Sequence, residues 1–99
     1  MAGLWALTAN LRSRPVPLVH KIDGIGVHIY GLDHPPPHVH FRSSNFKLKM
    51  NIADRRVVRL TGTIRPSEEQ MLADWVTEME TRLMELWQLA FSGDVVPRC

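Results

Sequence analysis

The sequence predicts an α+β domain: a twisted antiparallel sheet of four to five strands with one long C-terminal helix packed on one face. Three observations carry this reading. Short β-rich runs broken by turn signals fill residues 15–61. An apolar stripe at helical spacing follows over 67–91. The chain of 99 residues is long enough for one core and too short for two.

Taken in order, residues 1–14 show no period and are expected as a flexible N-terminal arm, leaving 15–99 as a single domain. The run "PVPLVHKIDGIGVHIYG" then reads as a hairpin. Its Asp23-Gly24 pair suits a type I′ turn, in which both central residues need positive φ. That turn sets Ile22 against Ile25, His20 against Val27 and Leu18 against Ile29. One face of the hairpin is then apolar except for His20, read as a core histidine, and the other carries Lys21, His28 and Tyr30. His38 to Arg42 alternates as a third strand, and Ser43-Ser44-Asn45 turns the chain. In the fourth strand Phe46, Leu48, Met50 and Ile52 alternate with Lys47, Lys49 and Asn51. A fifth spans Val57 to Thr61.

Ser67-Glu68-Glu69-Gln70 fits a capping box and announces a helix from Ser67 to Phe91. Its stripe is Leu72, Val76, Met79, Leu83, Leu86 and Ala90, widened by Met71, Trp75, Trp87 and Phe91. Gly93 can end it and Pro97 prevents its resumption. Such a stripe covers a sheet, with a homodimer through the C-terminal helix as the alternative.

Composition narrows the class. Hydrophobic residues make up 44% and charged residues 22%, ordinary for a soluble domain. No apolar run approaches the roughly 18 residues of a membrane span, and no basic segment precedes the short apolar patch at the N-terminus. The single cysteine, Cys99, cannot form an internal disulfide, which suits a cytoplasmic protein. Charge is unevenly spread. Residues 66–92 hold six acids against one base, −5, while the remainder holds eleven bases against four acids, +7. That asymmetry serves an anionic partner or docking within the domain.

Residues 33–41, "DHPPPHVHF", concentrate three of the five histidines. On a strand, His38, His40 and Arg42 share one face while Val39 and Phe41 take the other. Two chemistries follow. His34, His38 and His40 are candidate ligands for a divalent metal such as zinc, with Asp33 or His28 as a fourth. Against it, an extended proline run holds His34 on the order of 10 Å from His38, unless a cis bond folds the turn. The metal-free alternative needs no cofactor: His38 and His40, with Arg42, act as acid and base on RNA. Lys47, Lys49 and Arg59 then extend a basic, nucleic-acid-binding face. Taken singly, those three are solvated sheet positions. The prolines are expected to act as a rigid spacer presenting His38 and His40 on one accessible face.

The stretch "KIDGIGVHIYGLDHPPPHVHF" resembles the signature of small bacterial proteins grouped as domain of unknown function 4160. The matching positions are Asp33, His34, Pro36, Pro37, His38 and His40. Pro66, Trp75, Trp87, Gly93 and Pro97 match the family's helical half, and the resemblance covers about residues 17–97. It implies no specific activity, but its members are often encoded beside another small protein in pairs that look like toxin–antitoxin modules. The leading expectation is therefore a cytoplasmic component of such a two-gene module. It would bind the adjacent-gene protein and, through its His/Arg/Lys face, RNA or DNA. Whether it is an enzyme is left open: a metal-independent ribonuclease using His38 and His40 is one alternative, and a metal-binding module on the histidine cluster another.

Overall fold

The computed structural model describes residues 18–31 and 33–99. The arm expected at 1–14 lies outside the described residues. Five strands, β1 (Leu18–Ile22), β2 (Ile25–His28), β3 (His38–Arg42), β4 (Phe46–Asn51) and β5 (Val57–Gly62), form one antiparallel sheet in the order β1-β2-β3-β4-β5. Each strand pairs with the next, the β2–β3 connection of residues 29–37 being the longest between strands. Asp23 and Gly24 have φ of 48° and 82°, the geometry a type I′ turn demands.

Two registers differ from simple alternation. Ile22 opposes Ile25 and His20 opposes Val27, but a bulge in β1 sets Leu18 against His28 rather than Ile29. The extra residue turns Val19 inward, where it is fully buried. A second irregularity lies in β5, where Arg59 opposes Lys49 while Val57 opposes Met50.

The expected single helix is two. α1 (Pro66–Glu78) and α2 (Glu80–Phe91) meet at Met79, whose φ of −99° and ψ of 12° leave the helical region. The backbone bond from Met79 N–H to the Trp75 carbonyl survives at 2.9 Å, so the break is a bend rather than a loop. Two residues before it, the Thr77 hydroxyl donates to the Ala73 carbonyl at 3.0 Å, a back-bond that loosens and bends helices. The N-terminus is also displaced from its expected place. Arg65 is the N-cap and Pro66 the first helical residue, and the Glu68 carboxylate accepts the Arg65 amide at 3.2 Å. Ser67 is inside the helix, because proline at the first position leaves one fewer amide to satisfy.

Both helices lie over one face of the sheet. Leu72 and Val76 of α1 and Leu83, Leu86, Trp87 and Ala90 of α2 are buried with Val27, Val39, Phe41, Leu48 and Met50. Most of the apolar stripe is thus core within the chain, while Met71, Trp75 and Met79 are partly buried and Phe91 is 47% exposed. His20 stacks on Trp75, ring centroids 5.2 Å apart. The chain's end returns to β1: the Cys99 amide donates to the Val19 carbonyl at 2.8 Å. No helix among the described residues is long and apolar enough to cross a membrane.

Candidate functional site

Opposite the helices, the sheet face is polar. Residues directly across a ladder share a face, so the pairings lay out two rows of side chains. His28, His40, Lys49 and Arg59 form one row across β2 to β5, and Gly26, Arg42, Lys47 and Thr61 the other. Between them lies an open groove of about 490 Å³, bordered by Tyr30, Asp33 and His40 at one end and by Arg42, Lys47, Lys49 and Arg59 along its floor and far side. Arg42, Lys47, Lys49 and Arg59 enter no ion pair among the described residues. The groove is therefore strongly electropositive, with Asp33 its one lining acid.

Asp33 reaches the groove because the proline run turns. The chain bends at residues 35–36, where the Pro35–Pro36 bond is cis, so the run is not the extended spacer expected of it. The turn brings Asp33, rather than His34, back to the strand. Oδ2 of Asp33 lies 2.7 Å from His38 Nε2 and 3.3 Å from His40 Nε2. His34 is exposed and gives only its backbone N–H to Asp33 Oδ1, at 2.9 Å. The three ligand atoms of Asp33, His38 and His40 all lie within 4.8 Å of one another.

The two histidines differ in setting. His38 is 1% exposed, although the sequence places it on an accessible strand face. Its ring packs on Trp87 of α2 at a centroid distance of 4.9 Å, and its Nδ1 lies 2.8 Å from the Pro36 carbonyl oxygen. Neither ring nitrogen faces solvent freely, since the start of β3 is roofed by the end of α2. His40 remains 19% exposed and lies against Tyr30 at 4.0 Å. Burial, opposed by the Asp33 hydrogen bond and reinforced by His38, drives its pKa down to about 4. For Asp33, burial pushes the carboxyl upward. Hydrogen bonds from the His34 amide, His38 and His40 outweigh it, so the pKa ends below the ordinary value.

The strand pattern in the sequence was enough to put His40, Arg42, Lys47, Lys49 and Arg59 on one face, and all five line the groove. Asp33 was visible as a secondary ligand. The Pro36 carbonyl and the Trp87 and Tyr30 rings around the imidazoles carry no signal in a one-dimensional pattern, because they depend on how the turn and α2 close over β3.

The chain thus defines a small α+β domain with a carboxylate–bis-imidazole cluster at the end of a basic groove. Residues 24–88 match the family model described as Domain of unknown function (DUF4160), and the chain belongs to that family. No curated protein and no solved structure matches it significantly.

Proposed function

We propose that the protein is a nucleic-acid-binding component of a two-gene, toxin–antitoxin-like module, gripping single-stranded RNA or DNA along the open sheet face. One observation carries the reading: Arg42, Lys47, Lys49 and Arg59 line a single groove with no acid paired to any of them among the described residues. Four uncompensated cations on adjacent strands repel one another, and a polyanion's phosphates relieve that repulsion while releasing counterions. Tyr30, half-buried against His40 at the groove's end, offers a ring on which an unstacked base can rest. A flat sheet face suits a splayed single strand better than a duplex groove.

The partner protein enters through a different edge. β5 is one of the two edge strands, and its Val58 and Leu60 are 50% and 43% exposed. An uncovered edge with apolar side chains favours pairing with another chain's strand.

The test is binding of labelled single-stranded oligonucleotides across a salt series, with chelator present throughout. Lys47→Ala and Lys49→Ala should each weaken binding similarly for all sequences. Each should also reduce the slope of log K against log salt by about 0.7, the value for one phosphate contact on a single strand. Absence of binding at low salt, or an unchanged slope in the double variant, overturns the reading.

A further inference from the structure

We propose that Asp33, His38 and His40 hold one divalent first-row transition ion, zinc being the best match, with its open coordination position facing the basic groove. The protein ligands stand without the nucleic-acid reading. Only the nature of the outer ligand, a phosphate oxygen in place of water, rests on it.

The Pro36 carbonyl can only accept, so the ring nitrogen 2.8 Å from it, His38 Nδ1, carries its hydrogen. That leaves the lone pair on Nε2, aimed at an Asp33 oxygen 2.7 Å away that is itself an acceptor. Two lone pairs at that separation require a positive particle between them. A second ring proton on His38 and an Nε2–H on His40 would satisfy the same Asp33 oxygen by hydrogen bonds, but His40 Nε2 converges on it at 3.3 Å, long for such a bond. A metal ion serves all three.

The dimensions agree. Bonds of about 2.0–2.2 Å in tetrahedral geometry hold donors about 3.3–3.6 Å apart. The Asp33–His40 separation of 3.3 Å is already there, and the Asp33–His38 separation of 2.7 Å opens by roughly half an ångström. The Nδ1–H to backbone carbonyl bond is the outer contact that commonly fixes a ligating imidazole and makes its Nε2 the metal donor. Next to the cluster, Asn51 pairs with His38 across β3 and β4 and buries its Oδ1 without a hydrogen-bond partner among the described residues.

Two imidazoles and one carboxylate select a borderline transition ion over magnesium or calcium, which prefer all-oxygen sites. Trp87 closes the His38 side, while Asp33 and His40 are 21% and 19% exposed toward the groove. Lys49, directly across the ladder from His40, and Arg42 line the same groove and oppose a bare dication. An anionic outer ligand removes that opposition, which makes the site suited to a metal–phosphate contact.

The experiment uses the full, tag-free chain stripped with chelator and dialysed. It is titrated with zinc, cobalt and magnesium by calorimetry, with cobalt also followed by its visible absorption. One zinc or cobalt per chain and no magnesium is expected. Asp33→Asn and His40→Ala should each weaken zinc binding at least tenfold, with circular dichroism unchanged, while His34→Ala should leave it intact. These two sites are chosen because His38→Ala opens the core. Absence of stoichiometric binding overturns the proposal, as does zinc binding indifferent to both variants or abolished by His34→Ala. Because oligonucleotide binding is measured in chelator, failure of the metal site and failure of the groove are read separately.

Discussion

His40 is where burial, charge and exposure meet, and it makes the metal-free protein sensitive to acid. Burial lowers its folded pKa to about 4, against an ordinary value of 6.5. The folded state thus favours the neutral ring, and the sign follows. Stability is complete above 6.5 and falls as pH drops toward 4, because the unfolded chain binds the proton first. Asp33, held below its ordinary 3.8, adds a further loss only below that value. Denaturant midpoints in chelator should therefore decline from pH 6.5 to 4, and His40→Ala should flatten that stretch of the profile. A flat wild-type profile there would place the proton elsewhere. None of this was legible from residue order, since an imidazole's burial depends on the turn that folds Asp33 over it and on the Tyr30 ring beside it.

At the scale of elements, the pattern of hydrophobic residues was a good guide wherever one face was covered and the other wet. β4 alternates with period two, and its Phe46, Leu48 and Met50 are all buried. The guide failed where geometry departs from regularity without a marker residue. No glycine or proline announces the bulge in β1 or the bend at Met79, and only Thr77's side-chain bond hints at the second. Position within an element also decides what a leucine is worth. Leu83, fully buried in α2, should cost about 2–5 kcal/mol when replaced by alanine. Leu60, 43% exposed on β5, should cost within about 0.5 kcal/mol. Chemical denaturation of the two variants checks this directly, and equal losses would mean that α2 does not roof the core as described.

Viewed whole, the sheet has two unlike edges. β1 is fastened by the chain's end, with the Cys99 amide and thiol both directed at the Val19 carbonyl. β5, the other edge, exposes Val58 and Leu60 and is the strand on which the proposed partner would pair. Natural edge strands are commonly blunted with charge, so the double variant Val58→Lys/Leu60→Lys tests the role of this one. If the proposed partner pairs with this edge, the double variant should abolish co-purification with it while leaving thermal unfolding nearly unchanged. Co-purification that persists would move the partner surface to the helices. The fold class and the basic face could be read before any coordinates, because both follow from alternation and charge. Which edge stays open could not, since the tail that fastens β1 joins residues 80 positions apart.

Residues 66–92, which form the helices, carry −5 and the other described residues carry nine bases against four acids, and the sheet keeps the acidic helices and the basic groove on opposite sides. Such a molecule is an electric dipole. Near a polyanion it feels a torque that turns the groove inward before any contact is made, so that productive orientation is selected during approach. Screening confines this effect to about 10 Å at 0.1 M salt, a few layers of water. The same polarity governs how copies meet one another at low ionic strength: acidic helices of one toward the groove of the next, head to tail. A polyanion lying in that groove, as the proposed function has it, would remove the attraction and keep the copies apart.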